Sequence, residues 1–261
     1  MAVGGNTPCV QVTSDGGTEL ILDAGSGIRE LRPQDLGHAK RLHILLTHLH
    51  LDHIQGLLFF APLFDPDAEI TVWGPPGRVP LRRRLARYLS NPLSPIEIGE
   101  LPANVTFKDV PADGWRIGEL ALRASLVAHR GTTLGYRISE GNGSLCYIPD
   151  HEPALGVKLA SAPAGWISGH ALAHGAATLV HDAQYTDREY PARRGWGHSS
   201  ITDTAAFAAR AEPERLLMFH HDPSHDDRAL ELLAEHADKE CARRGGDARI
   251  QLAREGWSFE L

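Results

Sequence analysis

The stretch Leu42-His43-Ile44-Leu45-Leu46-Thr47-His48-Leu49-His50-Leu51-Asp52-His53-Ile54-Gln55-Gly56-Leu57-Leu58 decides how this chain is read. Leu42 to Leu46 is the apolar, β-favouring run of a buried strand, and Ile54 to Leu58 reads as a helix-like run leading away. Between them stand His48, His50, Asp52 and His53. Four potential metal ligands thus fall where a strand turns into a helix, a place where α/β proteins commonly build their sites. A His-x-His pair alone says little, because alternate residues on a strand share a face. With Asp52 and His53 it becomes a dense imidazole and carboxylate cluster suited to zinc, iron or manganese. Four polar residues in a solvated loop is the competing reading.

The chain has 261 residues and 42% hydrophobic content, enough for a substantial core and within the range of one α/β domain, so residues 1–261 are expected to form a single domain. No apolar run approaches the length of a membrane span. Met1 to Gly5 has neither the basic region nor the apolar core of a signal peptide, which points to a soluble, cytoplasmic protein with no membrane partner. Cys9, Cys146 and Cys241 are odd in number and widely spaced, against a disulfide framework or a cysteine zinc site. Cys146 lies in an apolar strand and reads as core. The net charge of -7, with no basic tail, carries no electrostatic footprint for nucleic acid. Of 15 histidines, His38, His43, His170, His174 and His236 lack ligand-like company.

Strands are expected at Cys9 to Thr13 and Glu19 to Leu22, joined by a Ser14-Asp15-Gly16-Gly17 turn, then at Leu42 to Leu46 and Glu69 to Trp73. Further strands are expected at Leu120 to Ala128, Thr133 to Ser139, Ser144 to Ile148, Thr178 to His181, Arg215 to Phe219, Ala248 to Leu252 and Trp257 to Leu261. Helices are expected at Leu81 to Leu89, at about Thr202 to Ala211 with Ser200 or Thr202 as cap, and at Asp226 to Ala242. Phe59 to Phe64 either lines a pocket or packs on the core. The arginines of Leu81 to Leu89 either bind phosphate or form a solvated face. Asp23 ends a strand and is followed by small residues; as a cap it would serve Ile28 to Leu31. His129, Asp150, Asp182 and the pair His220-His221 fall at or just beyond strand ends.

The His48-x-His50-x-Asp52-His53 run resembles the signature of the metallo-β-lactamase fold superfamily, and the likeness extends loosely over nearly the whole chain. It implies a four-layer αββα sandwich in which strands and helices alternate. Members often carry another strand before the Gly4-Gly5-Asn6-Thr7 segment, where this chain begins. Carried over residue by residue, the resemblance implies two divalent ions, Zn2+ with Mn2+ or Fe as substitutes. His48, His50 and His129 would hold one ion and Asp52, His53 and His220 the other, with Asp150 bridging and Asp23 supporting the histidine loop. His221 rivals His220; His220 is preferred because it directly follows the apolar strand Leu216 to Phe219.

His181-Asp182-Ala183-Gln184 and Gly197-His198-Ser199 look like the His-Glu-Ala-Thr and Gly-His-Ser segments of the ribonuclease Z group of phosphodiesterases, with Asp182 in place of glutamate. The resemblance implies a hydrolase of phosphoric esters, chiefly diesters, acting through a metal-bridging hydroxide. His198 would be the general acid and Asp182 its partner, and Asp52 would serve in both metal and catalytic sets. The competing view is that His198 is a capping histidine beside a helix start and Asp182 an unrelated aspartate. The long glycine- and proline-containing basic arm of the tRNA-processing enzymes is absent, so a small-molecule phosphoester is favoured over nucleic acid. The chain is compatible with a homodimer. Hydrolysis of a lactone, thioester or β-lactam is the alternative chemistry, and a non-catalytic metal-containing sensor is the alternative of another class.

Overall fold

In the computed structural model, which describes residues 3–32, 36 and 41–261, every strand expected between Cys9 and Leu252 forms. The first sheet holds β1 (Val10–Thr13), β2 (Glu19–Leu22), β3 (Arg41–Leu45), β4 (Glu69–Gly74) and β5 (Asn104–Asp109), side by side in that order. β1 and β2 are an antiparallel pair, and β2 to β5 run parallel. The second sheet holds β6 (Trp115–Ile117), β7 (Leu120–Leu126), β8 (Leu134–Glu140), β9 (Gly143–Ile148), β10 (Thr178–Asp182), β11 (Arg215–Phe219) and β12 (Arg249–Leu252), in the order β12-β11-β10-β9-β8-β7-β6. β9 to β12 are parallel. The helices are α1 (Leu81–Leu85), α2 (His170–Ala173), α3 (Tyr190–Arg193), α4 (Ile201–Ala211) and α5 (Asp227–Arg243). This is the mixed α/β class with two sheets that the αββα expectation calls for.

The chain divides into two compact units, Asn6–Ala121 and Leu122–Leu261 with the residues up to Gly5. In the first, β2 is buried along its whole length and Ile21, Ile44, Ile70 and Val72 form the core with Leu57, Phe60, Leu81 and Leu85. In the second, Cys146, Leu179, Leu216 and Met218 of the sheet pack with Phe207 of α4 and with Leu230, Ala237 and Cys241 of α5. Ser200, not Thr202, caps α4 by accepting from the Asp203 amide at 3.1 Å, and Asp226 caps α5 through the Ala229 amide at 2.8 Å.

Three expectations are corrected. The run after the histidine turn is not an α-helix but a series of 3-10 turns, Leu51–His53, Gln55–Phe59 and Ala61–Phe64. The Gly56 amide donates to the Ala24 carbonyl at 2.9 Å, so it is unavailable to the i−4 ladder of an α-helix. Trp257 to Leu261 does not form a strand: Trp257 donates to the Arg254 carbonyl in a turn, Gly256 takes φ +72°, and the alternating pattern finds no partner strand among the described residues. The arginine-bearing helix stops at Leu85. Its Arg82 and Arg83 are exposed, as is Arg87 in the turn beyond it, while Arg84 bonds to the Pro75 carbonyl and Asp109. Phe59 to Phe64 divides, with Phe60 and Leu63 in the core and Phe59 68% exposed. β5 and β6 were not anticipated, although Val105 and Phe107 alternate with polar neighbours as a strand requires. His38 lies outside the described residues. No helix among the described residues is long and apolar enough to cross a membrane.

Gly56 is held against backbone, since a Cβ there would stand 2.0 Å from the Gly25 carbonyl oxygen. We predict that Gly56→Ala destabilises the protein by about 1–3 kcal/mol, the usual cost of overpacking. The measurement is a urea midpoint that falls at unchanged slope; an unaltered midpoint would show that the Gly25–Gly56 contact yields freely.

Candidate metal centre

β2 and β3 run parallel with Leu22 opposite Leu45, so Asp23 emerges beside Thr47. Asp23 is buried and takes φ +59°, uncommon for a residue with a side chain. Its carboxylate accepts from the Thr47 amide at 2.7 Å, from the Thr47 hydroxyl at 2.9 Å and from His53 Nδ1 at 2.8 Å. The turn that follows is capped by Gly25 without a side-chain bond, so Asp23 does not act as its cap. The Thr47 hydroxyl has one proton and the carboxylate can only accept it. Thr47 Oγ1 is therefore the acceptor for His48 Nδ1, 3.0 Å away. In both His48 and His53 the Nδ1 proton is committed, and Nε2 carries the lone pair. His48 Nε2 lies 2.8 Å from His50 Nδ1, and His53 Nε2 lies 3.4 Å from Asp52 Oδ2. All four expected residues of the motif are thus gathered within this unit.

The second unit gathers its own set. β9, β10 and β11 are parallel, with Ile148 opposite His181 and Asp182 opposite Phe219, so Asp150, Asp182 and His220 leave the sheet at one level. His129 Nε2 lies 3.6 Å from Asp150 Oδ2, and His220 Nε2 lies 3.5 Å from Asp150 Oδ1. One carboxylate therefore has an imidazole nitrogen on each oxygen. His129 Nδ1 donates to the Gly197 carbonyl at 2.7 Å, again leaving Nε2 with the lone pair. His220 takes φ +56°, a second non-glycine residue in the left-handed region. Of the rival pair, His220 is the one beside Asp150. Burial brings the His221 imidazole down to about 4, and neither of its nitrogens has a hydrogen-bond partner among the described residues.

His198 Nδ1 lies 2.6 Å from Asp182 Oδ2. The Asp182 carboxylate is fully buried and also accepts from the amides of His151, Gln184 and Ser199 at 3.0, 3.0 and 3.1 Å. Such donors satisfy its oxygens and pin its orientation. His198 therefore presents Nε2 outward. Its ring centroid is 5.0 Å from that of His129 and 5.0 Å from that of His220.

The donor chemistry fits divalent ions. His48, His53 and His129 each have Nδ1 held by an oxygen acceptor, the arrangement that fixes tautomer and ring orientation in metal-ligating histidines. His43, His170 and His236 are engaged elsewhere, with Trp73, the Arg210 carbonyl and Asp187. Sequence reasoning passed over Thr47, Glu152 and a fully buried pair, His151 and His181, whose Nδ1 and Nε2 are 2.9 Å apart. The density of Asp150-His151-Glu152 at a strand end was the available signal.

Residues 18–221 match the model of the Beta-lactamase superfamily domain. The chain belongs to this superfamily. It is a metal-dependent hydrolase of the metallo-β-lactamase fold, and divalent metal binding goes with that fold. Among curated proteins it is similar to Ribonuclease Z of Mycolicibacterium paratuberculosis, with 27% identity over 229 residues covering 80% of this chain and 78% of the relative. Two solved structures share the fold. The metallo-beta-lactamase fold protein YhfI of Bacillus subtilis has a TM-score of 0.68 at 15% identity, covering 98% of this chain and 92% of that one. A diphosphatase from the PhnP family has a TM-score of 0.64 at 21% identity, covering 98% and 85%.

The buried His151 and His181 make folding sensitive to acid. Burial lowers both imidazoles from 6.5, His181 to about 4, and the His151–His181 contact adds to the effect on His151. The unfolded chain therefore binds more protons than the folded one below pH 6.5, and stability is present above that value and lost as pH falls toward 4. We predict a thermal midpoint that drops by several degrees over this window and drops less in His181→Gln. Equal pH slopes for the two proteins would exclude His181 as the source.

Proposed function

We propose that residues 1–261 form one hydrolase domain that binds a pair of divalent ions and cleaves phosphodiesters. One ion would be held by His48, His50, His129 and Asp150, and the other by Asp52, His53, Asp150 and His220, with Asp150 common to both. Asp23 would orient His53 from behind. Zinc suits this mixture of imidazole and carboxylate, and manganese or iron accept the same donors. When bound, such a pair supplies an activated water at neutral pH and neutralises charge on the phosphoryl oxygens.

The single observation carrying the reading is the His198–Asp182 pair, its imidazole 5.0 Å from the rings of both His129 and His220. With Nδ1–H donated to Asp182, the Nε2 proton of an imidazolium can pass to the alkoxide oxygen as its bond to phosphorus breaks. An alkoxide leaving group needs that proton, and imidazole titrates in the right range to give it. The Asp182 carboxylate, itself pinned by the amides of His151, Gln184 and Ser199, accepts from Nδ1 and fixes the direction in which the ring presents Nε2. The relatives named Ribonuclease Z act by name on RNA, a phosphodiester, which agrees with this chemistry. A net charge of -7 favours a small diester over a polyanion that demands many basic contacts. Three free cysteines accord with a reducing compartment, and we place the enzyme in the cytoplasm.

Metal-loaded protein should hydrolyse bis(p-nitrophenyl) phosphate. His198→Ala should lower kcat by about 10²- to 10⁴-fold, the range for loss of a general acid, with metal content unchanged. Lack of turnover with zinc, manganese and iron alike would refute the assignment. Elemental analysis of the dialysed protein tests the centre separately: the wild type should retain two ions per chain and Asp150→Ala fewer, while one ion in both would exclude a shared Asp150.

A further inference from the structure

Glu152 lies two residues beyond Asp150 and is buried, yet it reaches away from Asp150 into the loop before His198. One carboxylate oxygen accepts from the Tyr190 hydroxyl at 2.9 Å and from the Gly195 amide at 2.8 Å; the other accepts from the Gly197 amide at 2.8 Å. The amide of Glu152 itself donates to the Ala128 carbonyl at 2.8 Å, next to His129. A buried carboxylate is costly unless donors surround it, and here three do.

Gly197 turns this clamp into a relay. Its N–H is held by Glu152, and its carbonyl accepts from His129 Nδ1. Gly197 takes φ +95°, and a Cβ at that position would stand 2.3 Å from His129 Nδ1. Only glycine lets the peptide sit against that ring. The next residue is His198, so the peptide that carries the Gly197 carbonyl also sets where its backbone begins, while Asp182 sets where its ring points.

We propose that Glu152 is a positioning residue that sets His129 and His198 together through the Gly195-Trp196-Gly197 loop. This rests on the roles given above to those two histidines. The effect on His129 travels through the two peptide planes that meet at Gly197 Cα, one carrying the N–H held by Glu152 and the other the carbonyl that accepts from His129 Nδ1. The carboxylate is required as such, because its two oxygens accept at opposite ends of the loop. A glutamine has one accepting oxygen, and its NH2 would oppose an N–H of the loop.

The test compares wild type, Glu152→Gln and Glu152→Asp, the last keeping the charge on a stem too short to reach both Gly195 and Gly197. Ring-nitrogen NMR spectra of the metal-free proteins, assigned with His129 and His198 variants, read tautomer and hydrogen bonding without any turnover. We expect the His129 Nδ1 and His198 Nδ1 signals to move in both Glu152 variants. With bis(p-nitrophenyl) phosphate, kcat should fall about 10- to 100-fold, as for other groups that orient metal ligands, with KM nearly unchanged. Unchanged ring signals in a folded variant overturn the proposal, whether or not activity falls. If wild type itself shows no turnover, the phosphodiesterase reading fails, and the ring signals still decide the role of Glu152. Should Glu152→Gln not fold, Glu152→Asp is judged by the same signals.

Discussion

An imidazole can hold a metal ion or deliver a proton in a defined direction only when its second nitrogen is tied down. That constraint shapes the described parts of both units. Asp23 takes the Nδ1 proton of His53, and Thr47, itself donating to Asp23, takes that of His48. Asp182 engages Nδ1 of His198, and the Gly197 carbonyl engages that of His129. The acceptors are buried or belong to the backbone, so they cannot swing away. Each costs desolvation, which the surrounding donors offset.

Parallel strands are what bring such acceptors to the right place. Neighbouring parallel strands end at one level, so side chains far apart in sequence emerge together: Asp23 beside Thr47 in one unit, and Asp150, Asp182 and His220 in the other. The backbone then bends sharply. Asp23 and His220 sit in the left-handed region, where a residue with a side chain is strained, and surrounding contacts hold them there. Glycines permit the closest approaches, Gly56 against Gly25 and Gly197 against the His129 ring. Small residues and strained ones are thus complementary parts of the same local geometry.

The two carboxylates behind His198 divide the labour. Asp182 engages the ring directly, and Glu152 holds the loop from which the ring departs. Asp182 stands where the resembled ribonuclease Z group has glutamate. Its shorter side chain still reaches His198 at 2.6 Å, because the Ser199 and His151 amides draw the loop and the end of β9 toward it. The departure from the family pattern therefore leaves the contact in place.

Much of this was legible in the chain as written. Buried strands declare themselves by unbroken apolar runs, as at Leu216 to Phe219, and the His48 to His53 cluster is local enough to be read directly. The strand ends at Asp150, Asp182 and His220 follow from the same runs. What the linear order could not convey is which groups meet through space. The alternating Trp257 to Leu261 looks like a strand but has none to pair with, and the run after His53 looks helical but loses its ladder to Ala24. His151 and His181 read as two unrelated histidines until β9 and β10 lie side by side, and Glu152 reads as one acidic residue among many until the Gly195–Gly197 loop folds over it. Periodicity and residue type report how a segment meets its immediate neighbours and its solvent. Partners distant in sequence are selected only when the strands align, and that selection decides which nitrogen of each histidine is left to work.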